Sequence, residues 1–218
     1  FVSCCPERIT MTILPFDAHN HVHMGPTPAI QAIGGLGGMA IQGTHPRDYK
    51  RILGICKDIS TERPDFHVVP CFGVHPWFLH ELTEEDWKPV VDNSDAQKNK
   101  EIRPKWYQEL RTYLEQTPNA IVGEIGLDGY HYNSETNELC SSMDDQVKAF
   151  QMQLELAIEY NRPVSIHTVQ CYGPLMDTLS KLRNNNNHHH HSLPPILYFH
   201  AFGGKIGLVD QLLALGRG

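Results

Sequence analysis

The sequence lacks features that would each point to a different class of protein. It has no apolar run near the ~18 residues of a membrane-spanning helix, and its first sixteen residues carry Glu7 and Arg8 without a clear cleavage site, so we predict no membrane span and no signal peptide. It also lacks positive charge: 18 basic and 25 acidic side chains leave a net charge of −7. Proteins that hold nucleic acid by bulk electrostatics are usually basic. Any contact with nucleic acid should therefore be local or mediated by metal ions.

Paired cysteines are also missing, because the six cysteines include no C-x-x-C pair. They are scattered through apolar segments, which is typical of reduced, buried thiols. We therefore expect a cytoplasmic protein, with the nucleus as a second compartment.

Histidine, in contrast, is abundant, with 14 residues. Four of them end the asparagine- and histidine-rich tract 184–191, which we interpret as a solvated low-complexity loop. A polar stretch at about 88–105 predicts a second exposed insertion. Residues 1–10 are expected to be a disordered or non-native extension, since Met11 could be a natural start. The remaining residues, 11–218, then form one domain.

Short apolar runs alternate about six times with amphipathic stretches, which predicts a parallel sheet with helical crossovers. The predicted strands are Ile13–Asp17, Gly38–Gly43, His67–Val74, Ala120–Ile125, Pro163–Ile166 and Ile196–Phe199. A doubly wound open sheet also fits this count. However, polar residues lie at the carboxyl ends of several strands, and only a barrel brings those ends together around one axis. We therefore predict an α/β fold, a TIM-like (β/α) barrel that is C-terminally truncated, with about six of eight β/α units present.

Two chemical signals lie on the first and fourth predicted strands. His19 and His21 are two residues apart, and such residues point to the same side of a strand, as a first pair of metal ligands would. Glu124 lies within an apolar strand, where an unpaired carboxylate would be costly. We therefore expect a cationic partner for Glu124. A metal ion is the simpler partner, and a salt bridge to a distant arginine is the alternative.

His167 and His200 each end a later apolar strand. Alone, each is more typical of an ordinary core or surface histidine than of a ligand. Together with the first histidine pair and Glu124, they indicate a metal centre. Histidine and carboxylate ligands suit Zn²⁺ or Mn²⁺, or Mg²⁺ when more carboxylate and water take part.

Five segments resemble, in order, the successive motifs of the TatD-type metal-dependent deoxyribonucleases of the amidohydrolase superfamily. They are Asp17-Ala18-His19-Asn20-His21, Gly73-Val74-His75-Pro76, Val122-Gly123-Glu124-Ile125-Gly126-Leu127-Asp128, Pro163-Val164-Ser165-Ile166-His167 and His200-Ala201-Phe202-Gly203-Gly204. Each motif is short, but five in order are specific, and they span roughly residues 11–218. The insertion after His75-Pro76 and the sequence His167-Thr168-Val169-Gln170 are more similar to the Cut9-interacting-protein branch of the family than to the bacterial enzymes.

This resemblance implies a nuclease that hydrolyses phosphodiesters in DNA with two divalent metal ions (Zn, Mg or Mn). His75 would lie beside the metals and contact the substrate phosphate, and Asp128 would belong to the substrate-binding side of the Glu124 motif. The implied metal ligands are His19 and His21 for the first ion, Glu124 for both, and His167 and His200 for the second.

The chain departs from the family pattern at two places. The family usually has Ser-Arg after the strand-5 histidine, where this chain has Thr168-Val169, so a cationic phosphate contact is lost. The family's final motif, a strand ending in Glu-Thr-Asp, does not occur in the sequence. Its aspartate would be a metal ligand and the general base, and we expect it beyond Gly218.

Two other functions fit the same residues. An amidohydrolase acting on a small amide or phosphoester shares the histidine pattern, although residues 119–128 contain no lysine that could be carboxylated and Glu124 stands in its place. A non-catalytic scaffold of the Cut9-interacting type would have kept the barrel without the chemistry. Trp77 could stack on a nucleobase, but the sequence favours a packed aromatic side chain.

Overall fold

A computed structural model of the chain describes residues 14–26, 34–91, 102–184, 193–200 and 202–216. The expected extension 1–10 lies outside these residues, as does nearly all of the low-complexity tract 184–191. The division of the chain into domains therefore stays a prediction.

The described residues contain eight strands: β1 Phe16–Asn20, β2 Gly38–Gln42, β3 His67–Phe72, β4 Pro89–Val91, β5 Ile102–Pro104, β6 Ile121–Asp128, β7 Val164–Val169 and β8 Leu197–Phe199. Six of them form one parallel sheet, in the order β1-β2-β3-β6-β7-β8. Spatial order follows chain order, as in a barrel, whereas a doubly wound sheet reverses its order at a switch point. The sheet is curled, because the ring of His19 in β1 contacts the ring of His200, which directly follows β8. The barrel prediction is confirmed, with six of the eight strands of a complete barrel described here.

Helices pack outside this sheet, as crossover connections require. They are α1 Pro46–Glu62, α2 Glu84–Trp87, α3 Lys105–Gln116, α4 Met143–Glu159, α5 Tyr172–Asn184 and α6 Ile206–Leu215. His45 caps the start of α1: its side chain accepts a hydrogen bond from the Arg47 amide, and Asp48 accepts from the His45 amide in return. No helix among the described residues is long and apolar enough to cross a bilayer.

The hydrophobic core lies between the sheet and the helices. α4 packs against β6, and α1 packs against β3. The largest fully buried side chains include Trp106, Tyr49, Tyr107, Phe72 and Phe150. The four cysteines in the described part of the chain, Cys56, Cys71, Cys140 and Cys171, are free, as expected.

Strand boundaries differ from the sequence prediction in ways that matter for the site. β1 lies three residues later than predicted, so that His19 is inside the strand. β6 and β7 each continue three residues further, to Asp128 and Val169, and His167 is therefore also inside a strand. The two ends of the predicted insertion pair as the antiparallel strands β4 and β5.

Candidate metal centre

Glu124 occupies the centre of the site. It lies on β6, in the middle of the sheet, and is only 2% exposed. Five imidazole nitrogens approach its carboxylate: His19 Nε2 at 3.5 Å, His21 Nε2 at 3.1 Å, His75 Nε2 at 3.2 Å, His167 Nδ1 at 3.1 Å and His200 Nε2 at 2.6 Å. The fold therefore brings all five predicted ligand residues and His75 into one cluster.

Gly126 allows β6 and β7 to come close enough for this contact. Its φ is +144°, and a Cβ atom there would lie 2.0 Å from the carbonyl oxygen of His167. Any other residue would push the two strands apart. The short distance between the Glu124 and His167 side chains therefore depends on this glycine.

The tautomer of His21 is set by the backbone of the neighbouring strand. The Nδ1 atom lies 3.1 Å from the carbonyl oxygen of Gln42, which can only accept, so Nδ1 carries the proton. In the neutral ring, Nε2 then presents a lone pair towards Glu124 Oε2, and also lies 3.1 Å from His19 Nε2. Such converging lone pairs repel one another unless a cation lies between them. A backbone carbonyl that fixes the far nitrogen is also typical of a metal-binding histidine.

His19 is held as a neutral ring. Burial lowers its pKa to about 4, despite the attraction of the Glu124 carboxylate. Its ring stacks on that of His200, with ring centroids 3.8 Å apart. A neutral imidazole is the form that binds metal ions.

His167 lies between two carboxylates. Its Nε2 atom is 2.8 Å from Asp128 Oδ2, and its Nδ1 atom is 3.1 Å from Glu124 Oε1. Burial lowers the pKa of His167, but the bonds to Asp128 and Glu124 outweigh it and raise the pKa to about 9, so a metal ion bound at Nδ1 would displace a proton from this ring. Burial also raises the pKa of Glu124, yet hydrogen bonds from the surrounding histidines hold it far below its usual range. Glu124 is therefore a carboxylate at any working pH.

His75 differs from the other histidines, because its Nδ1 atom accepts a hydrogen bond of 3.0 Å from the Trp77 amide. The proton of the neutral ring must then be on Nε2, which faces Glu124 at 3.2 Å. Burial lowers the pKa of His75, which favours this neutral form. The ring therefore presents a hydrogen-bond donor rather than a lone pair to the site.

Some of the histidine and carboxylate atoms are grouped closely enough to hold a metal ion. Two groups of three ligand atoms are of this kind, and within each group the atoms lie within 4.8 Å of one another. Both groups include Glu124: one adds His19 and His200, and the other adds His75 and His167. The first grouping joins His19 to His200 rather than to His21, unlike the arrangement that the resemblance implies. The donor proton on His75 argues against its place in the second group. The 3.1 Å between the Nε2 atoms of His19 and His21 suits two nitrogens that share an ion, since Zn–N bonds measure about 2.0–2.1 Å.

Asp128 lies behind the cluster and is 1% exposed. Its Oδ2 atom accepts from the Trp77 indole at 2.7 Å and contacts His167, while Oδ1 accepts from the amides of Tyr130 and His131. Sequence reasoning did not identify the Gln42 carbonyl or the contact between Asp128 and Trp77. The Gln42 contact had no sequence signal, because it is made by the backbone.

The sequence profile of the TatD related DNase family matches residues 16–217. The Cut9-interacting protein scn1 of Schizosaccharomyces pombe is 27% identical, over 91% of this chain and 74% of its own length. An uncharacterized deoxyribonuclease of Saccharomyces cerevisiae is 28% identical, over 74% of this chain and 59% of its own length.

Solved structures with the same fold include YJJV, a TatD homologue from Escherichia coli, with a TM-score of 0.64 and 21% identity. A TatD family hydrolase from Entamoeba histolytica gives a TM-score of 0.65 and 18% identity. They cover 93% and 95% of this chain. The chain spans about 65% and 64% of these two proteins.

Proposed function

Because the chain belongs to the TatD related DNase family, we propose that it is a metal-dependent hydrolase that cleaves phosphodiester bonds in DNA with two divalent ions. The observation that carries this proposal is the convergence of five imidazoles on the buried carboxylate of Glu124. A buried carboxylate surrounded by imidazole nitrogens is arranged to share its charge with cations.

Each residue has a distinct role in this proposal. Glu124 would bind both ions, with His19 and His21 as the further ligands of the first and His167 and His200 as those of the second. The Gln42 carbonyl orients His21, and Asp128 orients His167 by accepting from its far nitrogen.

His75 binds the substrate rather than a metal ion. Its neutral ring directs an N–H group into the site, where it can donate to a non-bridging phosphate oxygen and stabilise the charge that develops there. Bound divalent ions would supply the activated water and further neutralise the phosphate.

The test compares the full-length wild-type protein with its Glu124→Gln variant, which keeps the size of the side chain but removes its charge. Metal content of the purified protein is measured by mass spectrometry, and hydrolysis of a DNA oligonucleotide is followed with Zn²⁺, Mn²⁺ or Mg²⁺. We expect Glu124→Gln to lose both metal and hydrolysis. Glu135→Gln, at an exposed loop position, is the matched control and should keep both. Metal binding without hydrolysis of DNA would reject the nuclease and leave a hydrolase of small amides or phosphoesters as the next candidate.

A second candidate function is a binding protein without chemistry. It is favoured by the similarity to a protein named for its interaction with Cut9, which covers 91% of this chain. However, a scaffold function does not explain why a buried carboxylate is surrounded by histidines. Wild-type protein that binds no metal ion at micromolar concentration would favour this candidate over the hydrolase.

A further inference from the structure

Trp77 is an exposed aromatic residue beside the metal centre. The sequence favoured a packed side chain, but the indole is 42% exposed, whereas Trp106 in the core is 0% exposed. An exposed tryptophan is unremarkable when it is isolated on a surface. Trp77 is not isolated, because its position is fixed by specific contacts.

Two contacts hold the indole in place. Its Nε1–H group donates to Asp128 Oδ2 at 2.7 Å. Its ring stacks on His131, with ring centroids 5.1 Å apart and an interplanar angle of 21°. The backbone amide of His131 is in turn bound to the other oxygen of Asp128. The ring therefore keeps one orientation although a large part of it faces solvent, and a prearranged surface loses little entropy when it binds.

The position of the ring relates it to the proposed reaction. The indole centroid lies 5.4 Å from the His75 ring and 5.9 Å from the His167 ring. Trp77 also follows the proposed phosphate donor His75 by two residues. A phosphate at His75 would therefore place the nucleoside attached to it next to the indole.

The net charge of the chain means that affinity for DNA needs a source other than bulk electrostatic attraction. With a net charge of −7, bulk attraction does not favour a polyanion. Stacking on an aromatic ring is the main alternative source of affinity for single strands, and it is open to every base.

We propose that Trp77, supported by His131 and Asp128, is the stacking platform for one unpaired nucleobase adjacent to the bond that is cleaved. The proposal rests on the proposed function, since it names how that site holds its substrate. Trp77 acts in binding and positioning, and it takes no part in proton transfer.

The test is a double-mutant cycle, in which variants of the full-length protein are combined with altered substrates. The probe is a fluorescein-labelled oligothymidylate of about eight residues, together with a series in which one base at a time is replaced by an abasic residue. Dissociation constants are measured by fluorescence anisotropy in EDTA, which prevents hydrolysis. The variants are Trp77→Ala and Trp77→Phe. Phenylalanine keeps an aromatic face but cannot donate to Asp128.

We expect one abasic position to weaken binding to the wild type by about 5- to 150-fold, the factor that corresponds to ~1–3 kcal/mol of stacking per base. Trp77→Ala should bind the intact probe more weakly by a similar factor and should not distinguish that abasic position. Trp77→Phe should retain most of the affinity and the discrimination.

The platform is rejected if no single abasic position affects the wild type, or if Trp77→Ala still discriminates between the probes. Should Trp77→Ala fail to fold, the abasic series with the wild type and Trp77→Phe decides alone. Base-dependent binding without hydrolysis on addition of Mg²⁺, Mn²⁺ or Zn²⁺ rejects the proposed function and leaves the platform. Hydrolysis of DNA that Trp77→Ala leaves unchanged rejects the platform and leaves the proposed function.

Discussion

The rings of His19 and His200 stack at 3.8 Å, although these residues belong to opposite edges of a six-stranded sheet. Neighbouring strands lie about 4.8 Å apart, so a flat sheet would separate its outer strands by more than 20 Å. The stacking is therefore direct evidence that the sheet curls. It also explains how residues 181 positions apart in the sequence come to share one carboxylate.

Gly126 should tolerate no side chain. Gly126→Ala places a Cβ atom 2.0 Å from the His167 carbonyl oxygen at a φ of +144°, so we expect a loss of at least about 2 kcal/mol in the free energy of unfolding. Urea denaturation measures it. Gly54→Ala is the control, because Gly54 is exposed on α1 with open space around its Cβ position. It should stabilise by about 0.5–1 kcal/mol. Equal effects of the two substitutions would contradict the close approach of β6 and β7.

Gln153 on α4 should stabilise the segment that carries His75. Its buried amide accepts from the Val74 N–H at 2.7 Å and donates to the Val74 carbonyl at 3.2 Å. Gln153→Leu leaves both backbone groups without a partner, so we expect a loss of about 2–4 kcal/mol in urea denaturation. Gln151→Leu, at an exposed position two residues away on the same helix, should change stability by less than about 0.5 kcal/mol. A Gln153→Leu variant as stable as this control would show that the two backbone bonds contribute little.

Asp128 should matter for metal affinity without touching the metal ion. It accepts from His167 Nε2 at 2.8 Å, and partners of this kind are typically worth about 10–100-fold in metal affinity. We therefore expect Asp128→Asn to weaken Zn²⁺ binding by about that factor in a competition titration with a chelating indicator. Asp177→Asn, at an exposed position of α5, should leave the affinity unchanged. Unchanged affinity in Asp128→Asn as well would argue that His167 is not a ligand.

Asp48 should make the stability of the chain depend on pH at the acidic end. Burial raises its pKa, but the nearby His23 ring, 3.4 Å away, and hydrogen bonds from Thr44 outweigh burial and lower the pKa from 3.8 to about 2 in the folded chain. A carboxyl group whose pKa falls on folding stabilises the fold above its unfolded pKa, and this contribution is lost as the pH drops towards the folded pKa.

The Asp48→Asn variant tests this pH dependence. Relative to wild type, it should be less stable by about 1 kcal/mol near neutral pH. The difference should stay constant down to about pH 5 and shrink between pH 3.8 and about 2. Urea denaturation at several pH values measures it, with Asp58→Asn, at an exposed position on the same helix, as control. A difference that does not change with pH would mean that the charge of Asp48 contributes nothing.

The sequence by itself determined the order of strands and helices and the ligand-type residues of the site. Alternating apolar runs are a local signal, and so is a carboxylate in the apolar strand around Glu124. Strand ends were predicted less well, by about three residues for β1, β6 and β7. Hydrogen bonding to neighbouring strands sets where a strand ends, and that pairing has no local signature.

Only the tertiary structure decided how the residues of the site work together. The Gln42 carbonyl fixes the tautomer of His21, and the Trp77 amide makes His75 a donor. Both contacts depend on backbone groups whose direction follows from the path of the chain. The orientation of the Trp77 indole likewise follows from its hydrogen bond to Asp128 on β6. Residue type determines what a side chain can do, whereas its partners in space determine which of those options it uses.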